Sequence, residues 1–208
     1  MSAEFYPAVR QFVEQCVTEF DVIPAARKQA LYEIARFVAT CRRTDQPARL
    51  TFICTHNSRR SHLSQIWAAV AAAYYHLTNV ETFSGGTEAT AVAHQVIAAL
   101  QRVGCLVESP PDRNPRHAVR YQQSGHVLIC FSKVYNEAPN PHANYCAVMT
   151  CSHADINCPV VAGASTRIAV AYDDPKSSDG SPTEAATYDD RCRQIAREML
   201  FALSQVER

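Results

Sequence analysis

A short apolar run that leads through a loop into a helical pattern is the feature that most limits how this chain can fold. Leu50 to Ile53 are predicted to form a buried strand, and an alanine-rich pattern with helical spacing runs from about Ser61 to Tyr75. Only the loop from Cys54 to Arg60 joins the two. A strand followed closely by a helix is the first half of a βα unit, which predicts a parallel sheet.

The rest of the chain repeats this alternation. Further strands are predicted at Val80 to Ser84, Tyr145 to Thr150 and Arg167 to Ala171, and helices at Ala89 to Arg102 and Tyr188 to Val206. The pattern predicts an α/β fold in which helices flank a parallel four-stranded sheet on both faces.

Two segments lie outside the alternation. Helical spacing in residues 8–20 and again after Pro24 predicts an N-terminal helical hairpin, whose apolar faces must pack on the main domain or on a second subunit. We expect the main domain. The chain is therefore divided into an N-terminal helical extension, residues 1–46, and a main domain, residues 47–208.

The second segment is an insertion from about Arg113 to Asn144. It contains two β-like runs, Ala118 to Gln122 and His126 to Ser132, around a Gln-Ser-Gly turn, and this predicts a β-hairpin. Two placements remain open for the hairpin. It could extend the sheet at one edge, or it could cover the loop that begins at Cys54.

Composition limits the partners of the chain. Twenty basic and twenty acidic residues cancel, so no general attraction to nucleic acid or to anionic lipid is expected. The first residues lack a signal-peptide pattern, and no apolar run of about 18 residues could span a bilayer. We expect a cytoplasmic protein whose oligomeric state the sequence leaves open, and any anion site must be local.

Nine cysteines are a high number for a protein of a reducing compartment. Five of them fall at positions where a small buried residue is expected, since free cysteine is often buried. These are Cys16, Cys41, Cys105, Cys130 and Cys192.

The loop after the first strand combines a thiol with a fixed positive charge. A thiolate at the N-terminus of a helix faces backbone N–H groups and the positive end of the helix dipole, which stabilise an anion. The guanidinium of Arg60 can bind two oxygens of a tetrahedral anion at once. Cys54 and Arg60 thus suit nucleophilic attack on phosphorus or arsenic, although a buried cysteine near a surface arginine would give the same spacing.

The run from Cys54 to Ser61, Cys-Thr-His-Asn-Ser-Arg-Arg-Ser, resembles the loop of low-molecular-weight protein tyrosine phosphatases and of the thioredoxin-coupled arsenate reductases that share their fold. The resemblance covers roughly residues 48 to 206. It implies that Cys54 is the nucleophile, that Arg60 binds the oxyanion, and that Asn57 and Ser61 tune the loop and the thiolate. The residues that would surround the anion are Thr55, His56, Asn57, Ser58, Arg59, Arg60 and Ser61.

Two loop positions depart from the family pattern. His56 stands where the family usually has glycine, so the loop must tolerate a side chain there or adopt a different backbone. Arg59 replaces a residue that is often cysteine, and we expect a solvated charge at the rim of the site that could also strengthen binding of a larger anion.

A second family landmark is Asp173-Asp174-Pro175, which follows a buried strand. The resemblance makes Asp174 the general acid that protonates the departing oxygen. Without the resemblance, Asp-Asp-Pro would favour a polar turn over an acid.

The third landmark is Cys151 and Cys158, seven positions apart around a polar segment. The pair resembles the redox segment of the arsenate reductases, and the residues between the cysteines suit a segment that can unwind. Two alternatives remain open. The pair could be inert core thiols, or Cys151, His153 and Cys158 could bind a metal with Cys146 or His142, although the spacing does not fit usual zinc sites.

The leading hypothesis is an arsenate reductase that reduces arsenate to arsenite through a Cys54 adduct and a Cys54, Cys151, Cys158 disulfide relay. It predicts no bound cofactor and no metal, and it requires an external dithiol reductant such as thioredoxin. The alternative is a phosphatase for phosphotyrosine or another small phosphate ester, which uses Cys54, Arg60 and Asp174. A third hypothesis is an oxyanion-binding module without catalysis.

Overall fold

The computed structural model of the chain describes residues 4–125, 127–157 and 160–206. His126 and Cys158 therefore lie outside the described residues. The helices are α1 (Pro7–Val17), α2 (Ala25–Arg43), α3 (Arg60–Tyr74), α4 (His94–Val103), α5 (Ser152–Asn157) and α6 (Glu184–Ser204). The strands are β1 (Ala48–Cys54), β2 (Val80–Gly86), β3 (Leu106–Glu108), β4 (His117–Arg120), β5 (Leu128–Cys130), β6 (Tyr145–Met149) and β7 (Ala164–Ala169).

Four of the strands form the predicted parallel sheet, in the order β2-β1-β6-β7. Leu50 pairs with Cys146 and Ile53 with Met149, so β1 and β6 end side by side. Every pairing in this sheet is parallel, and the carboxyl ends of its strands therefore meet at one edge. The α/β fold with a parallel four-stranded sheet flanked by helices is confirmed.

The sheet is covered unequally on its two faces. Leu50 and Phe52 point into a large apolar cluster that α1, α2, α3, α4 and α6 share. Ile53 belongs to a smaller cluster on the other face, which includes Met149 and Ala154 of the short helix α5. Alternation along a strand explains this division, because successive side chains point to opposite faces.

The N-terminal helices pack inside the same molecule, as expected. Val13 of α1 and Leu31 and Ile34 of α2 are buried in the same cluster as the sheet residues. The ring of Phe12 lies 5.1 Å from the ring of Trp67 on α3. The boundary between residues 46 and 47 stays a prediction, because this packing joins the two parts in one core.

The insertion forms the predicted hairpin, but not as an extension of the main sheet. Strands β4 and β5 pair antiparallel, and β3 joins β4 to make a separate three-stranded sheet. Of the two placements that the sequence left open, extension of the main sheet does not occur, because β4 pairs with β3 on one side and with β5 on the other. An isolated bridge between Gly86 and Val134 links the segment after β5 to β2.

Two predicted elements differ in their bounds. Helix α4 begins at His94 and not at Ala89, because Thr90 and Ala93 make hydrogen bonds to the loop after β1 instead of within a helix. Strand β7 begins three residues earlier than predicted, where Ala164 pairs with Tyr145. Among the residues that the structure describes, no helix combines the length and the apolar character that crossing a bilayer requires.

Candidate active site

Three predicted site residues meet at the carboxyl edge of the main sheet. Cys54 is the last residue of β1, Cys151 follows β6 by two residues, and Asp174 lies beyond the end of β7. In open parallel sheets this edge is the usual position of a ligand site. The parallel topology therefore gathers residues that are far apart in the sequence.

The sulfur of Cys54 is buried and has a directed polar neighbour. The hydroxyl oxygen of Ser61 lies 3.1 Å from the sulfur. The amide nitrogen of Asn57 donates to that same oxygen at 2.9 Å, so the hydroxyl proton is free to point toward the sulfur. A hydroxyl donor aimed at sulfur is the contact that a thiolate nucleophile needs.

Asn57 provides the left-handed backbone position of the loop. Its φ is 44°, whereas His56 is not among the non-glycine residues with positive φ in the described chain. The loop therefore tolerates a side chain at position 56, since the conformation that favours glycine falls one residue later, on an asparagine that can adopt it.

The N–H groups of the loop are available to a ligand. In the described part of the chain, the backbone N–H groups of residues 56–59 donate no hydrogen bond to other backbone or side-chain groups. Helix α3 begins directly afterwards at Arg60. Unpaired N–H groups at the start of a helix form a binding site for an anion with several oxygens.

Donors from two other segments, residues 87–93 and residues 132–133, hold the loop from outside. They all donate to oxygen atoms of residues 54–58, so these contacts do not occupy the N–H groups of the loop. The contacts are Thr87 N to Cys54 O, Glu88 N to Thr55 O, Thr90 Oγ1 and Ser132 Oγ to His56 O, Lys133 N to Asn57 Oδ1, and Ala93 N to Ser58 O.

His62 supports the loop from behind and is uncharged. Its Nε2 lies 2.9 Å from the carbonyl oxygen of Asn57, which only accepts, so Nε2 carries the proton. Its Nδ1 then accepts from the hydroxyl of Ser84 at 3.2 Å. Burial and the nearby charge of Lys133 lower the pKa of His62 to about 3. The neutral imidazole thus fixes the loop backbone at Asn57.

Arg60 and Asp174 form an ion pair beside the loop. A terminal nitrogen of Arg60 lies 2.6 Å from Asp174 Oδ2, and the other donates to the carbonyl of Tyr172 at 2.9 Å. The Nε of Arg60 is buried and has no partner among the described residues. The neighbouring Asp173 points away, with its side chain 98% exposed. The structure thus brings Asp174, and not Asp173, next to the predicted anion-binding arginine.

Arg59 differs from the predicted solvated rim charge. Its side chain is only 13% exposed. It donates to the hydroxyl of Tyr188 at 2.7 Å and to Asp179 at 3.2 Å. The prediction is wrong because α6 and the turn after Asp174 supply a polar site that holds the guanidinium. Both neighbouring arginines are therefore fixed by partners.

Cys151 lies next to the loop. Its sulfur is 3.5 Å from the hydroxyl of Thr55, and that hydroxyl is 3.2 Å from Nδ1 of His153. Cys54 and Cys151 belong to the same small apolar cluster. The polar segment that follows forms the short helix α5. Cys158 is outside the described residues, so its relation to Cys151 stays a prediction.

Most of the remaining thiols are buried away from this edge. Burial raises the pKa of Cys16, Cys105 and Cys130 to about 12, and it raises the pKa of Cys192 further. Cys41 is half-buried. These thiols remain protonated at neutral pH and have no part in the chemistry of the loop. Within the described ranges, no three His, Cys, Asp or Glu side chains cluster as metal ligands do.

Sequence reasoning missed several residues that shape the site. Ser132 and Lys133 bind the loop, yet no local pattern distinguishes them in the sequence. Gly86 did leave a signal, as part of a glycine pair that directly follows a predicted strand. A Cβ atom there would lie 2.6 Å from Thr55 O and 2.7 Å from Asn57 N, so the loop can approach β2 only because residue 86 is glycine.

No protein-family model and no curated protein matches the chain. Solved structures with a similar course of the chain include the low-molecular-weight protein tyrosine phosphatase from T. tengcongensis, 13% identical over 76% of this chain and 98% of that one, with a TM-score of 0.49. Another is the low-molecular-weight phosphotyrosine phosphatase from Vibrio cholerae O395, 14% identical over 76% and 94%, TM-score 0.49. A YwlE mutant from Bacillus subtilis is 13% identical over 76% and 97%, TM-score 0.48.

Proposed function

We propose that the chain is a cysteine-dependent phosphatase of the low-molecular-weight type, which hydrolyses a small phosphate ester through a phosphocysteine at Cys54. One observation carries the proposal: Cys54, Arg60 and Asp174 converge at the carboxyl edge of the sheet, around a loop whose N–H groups are unpaired. This activity needs a nucleophile, an anion site and an acid, and it needs no second cysteine.

In the first step, the phosphate group of the ester binds to the loop N–H groups and to Arg60. The Cys54 thiolate attacks phosphorus, the sulfur–phosphorus bond forms, and the bond to the ester oxygen breaks. The bound phosphate takes the place of Asp174 on Arg60, and Asp174 takes up a proton from solvent. Asp174 then donates this proton to the ester oxygen, so the alcohol or phenol leaves neutral. Before the ester binds, the Arg60–Asp174 contact of 2.6 Å holds the carboxyl group next to the anion-binding arginine.

In the second step, water attacks the phosphocysteine. Asp174, now ionised, accepts a proton from that water, and inorganic phosphate leaves as the Cys54 thiolate is restored. The hydroxyl of Ser61, 3.1 Å from the sulfur, stabilises the sulfur as it regains negative charge.

The test is steady-state release of phosphate from p-nitrophenyl phosphate by the full chain. Cys54→Ser is expected to abolish turnover, whereas Asp174→Asn lowers it by about 10²–10⁴-fold, the range of general acid catalysis. Cys41→Ser is the matched control, since Cys41 lies on α2, away from the loop, and is expected to keep full activity. Turnover by Cys54→Ser, or none by the wild-type chain, would overturn the proposal.

Arsenate reduction is the second candidate, and one contact favours it: the Cys151 sulfur lies against Thr55 of the loop. The Cys54 thiolate would displace hydroxide from arsenate, and that hydroxide would leave as water with a proton from Asp174. The Cys151 thiolate would then attack the Cys54 sulfur. Arsenic takes up two electrons and departs as arsenite, and a Cys54–Cys151 disulfide remains. Cys158 would next attack Cys151, and an external dithiol such as thioredoxin would reduce the final disulfide.

The two candidates give different results with Cys151→Ser. A phosphatase keeps its aryl phosphate turnover in this variant, and its wild-type chain makes no arsenite from arsenate and thioredoxin. A reductase loses multiple-turnover arsenite formation, and mass spectrometry of the reduced wild-type chain detects a Cys54–Cys151 or Cys151–Cys158 disulfide after arsenate, but not after phosphate.

A further inference from the structure

Arg27 connects the N-terminal extension to residues 170–174, which we call the acid-bearing segment because it ends at Asp174. Arg27 lies in the first turn of α2, and one of its terminal nitrogens donates to the carbonyl of Ala171 at 3.0 Å. Its guanidinium carbon lies 4.4 Å from the centre of the Tyr172 ring. Arg27 therefore holds two consecutive residues that lie between β7 and Asp174.

The same segment is held by the candidate active site from its other end. Arg60 donates to the carbonyl of Tyr172 at 2.9 Å and pairs with Asp174 at 2.6 Å. Residues 170–174 are neither strand nor helix. The carbonyls of Ala171 and Tyr172 accept hydrogen bonds from arginine side chains instead of from a neighbouring strand. The amides of Val170 and Tyr172 still donate to the carbonyls of Met149 and Thr150. Two arginines, one from the extension and one from the loop, hold the carbonyl side of the same path to Asp174.

Arg27 is itself fixed by a buried carboxylate on α6. Its Nε donates to Glu198 at 2.7 Å, and the side chain of Glu198 is only 3% exposed. The other oxygen of Glu198 accepts from Gln194 at 3.1 Å. A guanidinium held by a buried, hydrogen-bonded carboxylate has little freedom, because separating the pair would leave a buried charge without a partner.

We propose that Arg27 is a positioning residue for the general acid Asp174, and that the N-terminal extension thereby belongs to the catalytic machinery as well as to the core. The inference rests on the phosphatase function proposed above. Proton transfer to a leaving group requires the acid within hydrogen-bond reach, and a displacement of about 1 Å can lower a rate by about 10²-fold.

Glu19 offers a matched control. It lies in the same extension and pairs with Arg193 and Arg197, which are on α6 like Glu198. Among the described residues it makes no hydrogen bond or ion pair with residues 170–174. Glu19→Gln therefore weakens an ion pair between the extension and α6 without touching the acid-bearing segment.

Two variants of Arg27 separate positioning from folding. Arg27→Lys keeps a positive charge near Glu198 but cannot bond Glu198 and Ala171 with the same fork. The double variant Arg27→Met with Glu198→Met replaces the buried pair by apolar side chains, a change that often leaves stability unaltered. If one variant fails to fold, the other still breaks the joint contact of residue 27 with Glu198 and Ala171.

The first measurement is hydrogen exchange of the amides of residues 170–174, which requires no turnover. We expect about a fivefold faster exchange in the Arg27 variants, the effect of losing one hydrogen bond of about 1 kcal/mol, and no change in Glu19→Gln. Unchanged exchange in the Arg27 variants, or equal changes in Glu19→Gln, would overturn the positioning role.

The second measurement compares two aryl phosphates. Phenol is a poorer leaving group than p-nitrophenol and depends more on the acid. We expect kcat/KM for phenyl phosphate to fall at least about tenfold in the Arg27 variants while p-nitrophenyl phosphate is much less affected. In an Asp174→Asn background the Arg27 change is expected to add nothing. Equal losses for both substrates would refute the role. A wild-type chain without any turnover would refute the proposed function instead, and the exchange experiment would still decide whether Arg27 holds the segment.

Discussion

At the scale of single residues, the fold controls the charge of His62 beneath the nucleophile loop. The imidazole is buried, donates to the Asn57 carbonyl and accepts from Ser84. A second proton on Nδ1 would remove the acceptor that Ser84 uses and would place a cation near Lys133. A low pH therefore weakens the support of the loop by protonating His62, a residue that takes no part in the chemical steps.

The pKa of His62 predicts a loss of stability in acid. Its value is about 3 in the folded chain, and that of an unfolded histidine is about 6.5, so the unfolded state binds the proton first as the pH falls. The free energy of unfolding should decrease from about pH 6.5 toward pH 3, by at most about 1.4 kcal/mol per pH unit from this residue. Urea denaturation of the wild-type chain and of His62→Gln at several pH values measures it.

In His62→Gln the pH dependence below 6.5 should be shallower than in the wild-type chain. His142→Gln is the control, because His142 is exposed, lies outside the loop, and its replacement should leave the slope unchanged. Parallel curves for the wild-type chain and His62→Gln would contradict the assignment of a buried neutral histidine.

The sequence alone was sufficient to identify the site residues that belong to a contiguous motif. Cys54, Asn57, Arg60 and Ser61 lie within eight positions, and Asp174 is marked by the proline after it. Lys133 could not be found, because its contribution is a backbone N–H that bonds Asn57 from 76 positions away. A main-chain donor leaves no trace in the residue type, so only the tertiary structure reveals it.

At the scale of elements, the segment between β2 and α4 shapes the nucleophile loop. Glu88 bonds the loop, and residues 89–93 run across it without helical structure before α4 begins. The sequence pattern alone gave a longer helix, since the apolar spacing continues into this stretch. Tertiary hydrogen bonds to the loop override that local preference, which shows why element types were predictable here and boundaries were not.

Gly86→Ala tests the close approach of β2 and the loop. The new methyl group would meet backbone atoms of Thr55 and Asn57, which cannot rotate away as a side chain could. We expect a loss of about 1–3 kcal/mol in the free energy of unfolding, together with at least about a tenfold loss of phosphatase activity. Chemical denaturation and phosphate release measure the two effects.

Gly180→Ala is the matched control for this substitution. Gly180 has a φ of 74° but no atom within 4 Å of a Cβ placed there, so only backbone strain opposes the methyl group. It should cost about 1 kcal/mol or slightly more. An activity loss in Gly180→Ala as large as in Gly86→Ala would show that crowding of the loop is not the cause.

At the scale of the whole molecule, one apolar cluster joins the N-terminal helices to the sheet. Val9, Leu31 and Leu50 are buried in this cluster, although they come from both sides of the predicted boundary between residues 46 and 47. Amphipathic spacing in the sequence predicted that the helices have apolar faces. It could not show which surface covers them, because that depends on α6, near the far end of the chain.

This shared core predicts a single unfolding transition. The only tryptophan of the chain, Trp67, lies on α3 against Phe12 of α1, so its fluorescence reports directly on the docking of the extension. Urea curves followed by tryptophan fluorescence and by far-ultraviolet circular dichroism should coincide. Removal of residues 1–46 should leave a chain that does not fold cooperatively, since it exposes the apolar face of α6. Two separate transitions, or a truncated chain with full stability, would contradict this.

The donors that hold residues 54–58 come from beyond β2 and from the end of the hairpin insertion. Grafting the eight residues from Cys54 to Ser61 onto another strand–helix scaffold would therefore transfer the reactive groups without the frame that holds their backbone. An engineered recipient would also have to receive Gly86, the hydroxyl of Ser132 and the main-chain N–H of Lys133. In this protein, the reactive loop can be transferred only together with the residues, distant in sequence, that hold its backbone.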